Sequence, residues 1–140
     1  MSVLVACAVA TWAMVGLVWR VQLVHYPMLA TWSAQAPVHA MVDHQRRITW
    51  LVGPLMATEG VTTLALLAVR PASMSPLSAW AAAALLGVAL MSTVLVQVPL
   101  HRRLAERHDV ATARRLVASN WIRTAAWTSK GLVLAAVLAG

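Results

Sequence analysis

Long apolar runs separated by short polar connections dominate the chain. Four stretches, at about residues 2–25, 48–69, 77–99 and 121–139, stay apolar for the roughly 20 residues that a helix needs to cross a hydrocarbon core of about 30 Å. Prolines punctuate them: Tyr26-Pro27 closes the first, Arg70-Pro71 the second and Pro99 the third, while Pro76 stands where the third begins. The pattern predicts an all-α integral membrane four-helix bundle, one transmembrane domain over residues 1–140. The second connection, residues 71–76, is a tight polar turn. The third is different, because residues 101–118 mix dense Arg with Leu104, Val110, Leu116 and Val117, which predicts a helix lying at headgroup level and running into the fourth span.

Composition supports lipid as the solvent. Hydrophobic residues make up 61% of the 140 and charged residues 11%, against roughly half and a quarter in soluble domains. Four spans use nearly the whole length and leave no room for a soluble domain. The single cysteine, Cys7, excludes a disulfide framework and any multi-thiolate metal site. Leu4-Val5-Ala6-Cys7 looks like a lipoprotein cleavage box, but no basic residue precedes it, and the apolar run continues past the length of a signal core. The first segment is therefore expected to be a retained span.

The cations give an orientation. Arg20, Arg46 and Arg47 flank the first connection, and Arg102, Arg103, Arg107, Arg114, Arg115 and Arg123 flank the third, whereas the second has Arg70 alone. Arg and Lys near span ends stay on the cytoplasmic side, so both termini are expected on the non-cytoplasmic side. Ala- and Arg-rich usage without a targeting presequence suits a bacterial inner membrane. The net charge of +7 then matches anionic lipid headgroups, and no nucleic-acid partner is expected. Tryptophans 12, 19, 32, 50, 80, 121 and 127 include several near span ends, where indole rings anchor at the interface.

The two halves of the chain correspond. Val24-His25-Tyr26-Pro27-Met28 matches Val96-Gln97-Val98-Pro99-Leu100 at an offset of 72, and His44-Gln45-Arg46-Arg47-Ile48 matches Asn120-Trp121-Ile122-Arg123-Thr124 at an offset of 76. The longer third connection absorbs the difference. Two copies of a two-helix hairpin, each returning to the side it started from, would be related by a pseudo-twofold axis along the membrane normal.

Polar residues inside spans are costly unless paired or used. Gln22 and His25 share a face near the end of the first span, and Thr93, Gln97 and His101 form a stripe at the end of the third. His44 with Arg47, and Asn120 with Arg123, enter the second and fourth spans at the same side, so one cluster can contain all of them. Asp43 is the only nearby acid in the first connection, which disfavours a di-iron carboxylate site. His25 and His101, with His44 next, could ligate a b-type haem whose propionates Arg47 and Arg123 neutralise. His25, His44 and His101 could equally hold a single metal ion. An anionic or carbonyl-rich ligand, a quinone or a lipid headgroup, gripped by Arg47, Arg123 and the amides, is also allowed. Each of these groups can instead serve as hydrogen-bond glue between helices. His39 and His108, in connections, are expected to be solvated.

Glu59 lies 15 residues beyond His44, about 22 Å along a helix, too far to share its site. Lys130 is ten residues beyond Asn120, about 15 Å deeper, and its long side chain could cover the remaining depth. A Glu59–Lys130 ion pair locking the second span to the fourth is the expected arrangement, with a proton relay as the functional alternative.

On His25-Tyr26-Pro27, His44-Gln45-Arg46-Arg47-Ile48-Thr49, Gln97-Val98-Pro99-Leu100-His101 and Asn120-Trp121-Ile122-Arg123-Thr124, the chain resembles a group of small uncharacterised bacterial four-span membrane proteins. It is more loosely similar to the anthrone-oxygenase-like four-helix membrane proteins. That looser resemblance implies oxidation of a hydrophobic substrate and supplies no catalytic residues to carry over. The residues lead to a cofactor-binding membrane protein, with haem or a His-ligated metal and a redox role toward a quinone or other lipophilic molecule. The alternative is a non-catalytic accessory subunit, without a cofactor, of a larger membrane complex or oligomer that binds lipid or quinone. Ala-rich segments at 79–84 and 111–139 permit the close helix contact that either needs. No phosphate-binding loop, nucleophile elbow or HExxH motif is present.

Overall fold

The computed structural model describes residues 1–31, 38–107 and 109–140, with the side chains of 29–31, 38–41, 44 and 45 not included. Trp32 and His108 lie outside the described residues, as do the side chains of His39 and His44. Helix accounts for nearly all of what is described. Helix α1 (Ser2–Arg20) passes through a π-helical turn (Val21–His25) into α2 (Tyr26–Thr31); α3 covers Val38–Ala68. Helix α4 (Pro76–Ser92) likewise passes through a π-helical turn (Thr93–Gln97) into α5 (Val98–Glu106), and α6 covers Val110–Ala139. Ser75 caps α4, its hydroxyl accepting from the Ser78 amide at 3.1 Å, and Asp109 caps α6, its carboxylate accepting from the Ala111 and Thr112 amides.

Two expected boundaries are corrected. Pro27 and Pro99 do not end their helices. A proline lacks the N–H that an α-turn needs, and its ring crowds the carbonyl four residues back. One extra residue per turn relieves both problems, and each π-turn sits just ahead of its proline, with Tyr26 N–H on the Val21 carbonyl and Val98 N–H on the Thr93 carbonyl. The interfacial helix expected at 101–118 is not a separate element either. The backbone is extended at Arg107 (φ −153°, ψ 130°), so residues up to Glu106 belong to the third helical rod and those from Val110 to the fourth.

Three helical stretches, Ser2–Met28, Arg46–Ala68 and Pro76–Glu106, are long and apolar enough to cross a membrane. Their outward faces fit that solvent, since Val9, Trp50, Leu64, Trp80 and Leu95 are all exposed. Around the bundle, α1 neighbours α3 and α6, and α4 neighbours the same two helices, so α1 faces α4 and α3 faces α6 across the middle. The interior has an apolar layer at one end, around Leu4, Cys7, Leu66, Ala79, Ala82 and Leu134. A second lies around Met14, Val18, Ala89 and Trp127, and a third at the α5–α6 end is built on Tyr26, Leu104, Ala113 and Leu116.

Candidate functional site

A cavity of about 440 Å³ opens among the helices near the two π-turns. Leu17, Val18 and Val21 form one apolar wall, and Val52, Gly53 and Met56 of α3 another. Into it come His25 and Tyr26 from the first rod, Gln97 and His101 from the third, and Asn120 and Arg123 from α6. Each π-turn shifts the register of the residues that follow it, which is how two proline-bearing rods turn polar groups inward at the same level.

Tyr26 is the hub, and the sequence reading treated it only as punctuation. Its hydroxyl lies 3.2 Å from Gln97 Oε1 and 3.0 Å from His101 Nε2. Proton bookkeeping assigns the donors. Ser119 gives its one hydroxyl proton to the Leu116 carbonyl, so it accepts from Gln97 Nε2 at 2.8 Å, and that orients the Gln97 carbonyl toward Tyr26. Tyr26 then donates to Gln97, and the proton between Tyr26 and His101 must come from His101 Nε2. The His25 and His101 rings both lie close to the Tyr26 ring, with centroids 6.2 and 5.8 Å away.

The sequence-predicted residues divide. His25, Gln97, His101, Asn120 and Arg123 line the cavity. Gln22 stands behind it: its carbonyl accepts from Asn120 Nδ2 at 2.9 Å and its amide donates to the Val117 carbonyl, which ties α6 to the first π-turn. Arg47 is not among the side chains that line the cavity. Its side chain is exposed and donates to Asp43 at 2.7 Å, and that hydrogen bond holds the Asp43 carboxyl below its ordinary range. Gripping a ligand jointly with Arg123 would require Arg47 to leave both Asp43 and water. The side chain of His44 lies outside the described residues, and among those described no group of three potential metal ligands comes together.

Arg123 differs sharply from Arg47. It is 8% exposed, stands beside the Tyr26 hydroxyl, and lies over the Trp127 ring with 5.2 Å from Cζ to the centroid. Among the described residues no carboxylate pairs with it, and its Nε and the Asn120 Oδ1 are buried without a hydrogen-bond partner. A half-satisfied buried cation beside an unsatisfied amide is a costly arrangement in an apolar cavity.

Deeper in the bundle, Glu59 and Lys130 meet. Lys130 Nζ is 2.8 Å from Glu59 Oε1, and both side chains are fully buried. Glu59 also accepts from the Thr11 hydroxyl at 2.7 Å and from Trp127 Nε1 at 2.7 Å. Trp127 is therefore not an interfacial anchor like the exposed Trp50 and Trp80; it spans the diagonal between α6 and α3. The carboxylate holds three helices at one point, α1 through Thr11, α3 through its own backbone and α6 through Trp127 and Lys130.

The chain matches no protein-family model, and neither the curated proteins nor the solved structures contain a significant match to it.

Proposed function

We propose that this is a four-span protein of a bacterial inner membrane, built from two hairpins about a pseudo-twofold axis, with both termini on the non-cytoplasmic side. The fourth span would be α6. Its 30 residues are long enough, and its polar groups Asn120, Arg123, Thr124 and Lys130 are all buried at helical spacing, so they face the bundle and not lipid. The repeat draws support from the two π-turns, Val21–His25 and Thr93–Gln97, which lie at the same offset of 72 as the sequence match. It also agrees with α1 standing diagonal to α4 and α3 diagonal to α6, as a twofold axis between hairpins requires.

The cavity takes the polar head of a lipophilic molecule bearing carbonyl or anionic oxygens, a quinone being the type, and the chain serves as a binding subunit of a membrane assembly. One observation carries this reading: Arg123 Nε and Asn120 Oδ1, buried without partners, belong to side chains that line a cavity with apolar walls from Leu17, Val18, Val21, Val52 and Met56. Arg123 would donate to a ligand oxygen, Asn120 would orient a ligand hydroxyl, and Tyr26 and His101 would close the head group from the other side. Titrating a short-chain benzoquinone into the detergent-purified protein, with tryptophan fluorescence as the signal, tests it. Arg123→Gln should weaken binding about 10- to 100-fold, the worth of one hydrogen bond to a charged group. The reading fails if the wild type shows no saturable binding or if Arg123→Gln binds equally well.

A His-ligated cofactor is the second reading, favoured because His25 and His101 come from different rods into one cavity. These two would be the ligands of a haem and Arg123 the propionate partner, supplying one-electron chemistry toward a lipophilic molecule. An oxidative role on a hydrophobic substrate, as the anthrone-oxygenase-like resemblance implies, would use the same cavity. It stands second because His101 Nε2 is already committed to Tyr26, so ligation through that atom would break the hub. An oxidised-minus-dithionite-reduced absorption spectrum separates the two: a Soret band lost in His25→Ala and His101→Ala supports haem, and a colourless folded protein excludes it.

A further inference from the structure

A second depression of about 450 Å³ lies on the outside of the bundle between the third rod and α6, away from the central cavity. Its walls are Leu95, Val96, Pro99 and Leu100, and its upper edge carries Arg103 from α5 and Arg115 from α6. Helix α5 ends at Glu106, α6 begins at Val110, and the two pack against each other. Arg103 lies four residues before Arg107 and Arg115 six beyond Asp109, so the two guanidinium-bearing positions differ in height by only about 3 Å. Leu95 lies eight residues below Arg103, about 12 Å toward the middle of the rod. The groove thus has a cationic top and an apolar lower part, in a rod long and apolar enough to cross a membrane.

The arginines are not consumed by the protein. Among the described residues Asp43 pairs with Arg46 and Arg47, Glu59 with Lys130, and neither Arg103 nor Arg115 has a carboxylate partner. Ser119, at the base of the groove, already exchanges hydrogen bonds with Gln97 and Leu116, which leaves recognition of a head group to the two guanidinium groups. We infer that this groove is a binding site for one anionic phospholipid, its phosphodiester between Arg103 and Arg115 and an acyl chain along Leu95, Val96 and Leu100. Planar guanidinium forks match phosphate oxygens, and an apolar track of about 12 Å below them fits a chain and not a soluble anion. An acidic peptide would leave that track unfilled.

Native mass spectrometry of the full-length protein in neutral detergent tests the site, with dioleoyl phosphatidylglycerol, dioleoyl phosphatidylcholine and inorganic phosphate as probes. The wild type should retain the glycerol lipid in preference to the choline lipid. Arg103→Gln/Arg115→Gln should weaken the glycerol lipid by about tenfold or more, whereas Arg107→Gln/Arg114→Gln, which removes two charges from the same end outside the groove, should change it less than about threefold. Arg103→Lys/Arg115→Lys keeps both charges but loses the forks, so it should bind the glycerol lipid more weakly than the wild type and more tightly than the Gln pair, which covers a Gln variant that fails to fold. Binding equal to the wild type would overturn recognition by the two guanidinium groups. Equal retention of the two lipids, or equal loss in both double Gln variants, overturns the site. Inorganic phosphate displacing the lipid at equal concentration would make the groove a free-oxyanion site and overturn the lipid assignment.

Discussion

Lys130→Met should destabilise the protein by about 3–5 kcal/mol, because it strips the cation from a fully buried carboxylate and leaves that charge in the middle of the bundle. The remaining donors to Glu59, the Thr11 hydroxyl and Trp127 Nε1, are neutral and only partly offset the loss. The same substitution made together with Glu59→Gln should cost far less, about 1–2 kcal/mol, since both charges are gone while the amide still offers an oxygen to Trp127 or Thr11. The double-mutant cycle should then give a coupling of about 2 kcal/mol or more. Unfolding in mixtures of a mild detergent with sodium dodecyl sulfate, followed by tryptophan fluorescence, measures all four proteins on one scale. Against a total stability of about 5–15 kcal/mol, the single variant should unfold at visibly lower denaturing-detergent fraction. A cost for Lys130→Met below about 1 kcal/mol, or a cycle additive within about 0.5 kcal/mol, would refute the lock.

Tyr26→Phe removes the hydroxyl shared by Gln97 and His101; the same unfolding assay should show a loss of about 1–3 kcal/mol, the cost of leaving buried polar partners unsatisfied. Ser75→Ala deletes the side-chain cap of α4 and should cost about 1 kcal/mol, read as faster amide exchange in the first turn from Pro76. Asp109 caps α6, and its hydrogen bond with Thr112 lowers its carboxyl below the ordinary 3.8. A lowered folded value stabilises fully above 3.8 and fades as pH falls through the folded value. The melting-temperature gap between wild type and Asp109→Ala should therefore be flat near neutral pH and shrink in acid below that point.

Much of the bundle was legible in the apolar runs, because helices that must bury their backbone in lipid have little freedom in length. The helix ends at Pro27 and Pro99 were not, since a proline signals a break but a π-turn can absorb it without one, and hydropathy carries no record of that choice. The pairing of Glu59 with Lys130 followed from depth alone, as two opposite charges at compatible heights in apolar surroundings have few other partners. Arg47 and Arg123 correspond at the offset of 76 in the sequence comparison yet are opposite in burial. Asp43, one turn before Arg47, holds it outward, and among the described residues no acid pairs with Arg123 to do the same. Tyr26 escaped notice because an aromatic beside a proline at a span end also suits an interfacial anchor; its partners Gln97 and His101 are more than 70 residues away in sequence. The roles of Trp127 and Ser119 were hidden for the same reason, as each is defined by a contact across helices and not by its neighbours in the chain.

The most direct test of the proposed cavity is to extract the purified wild-type protein and its Arg123→Gln variant with organic solvent and quantify bound lipophilic compounds by mass spectrometry. A near-stoichiometric compound bearing carbonyl or acidic oxygens in the wild type, largely absent from an equally folded Arg123→Gln protein, is the predicted result. The same compound at equal amount in both proteins, or none above the general membrane lipids in either, would contradict it.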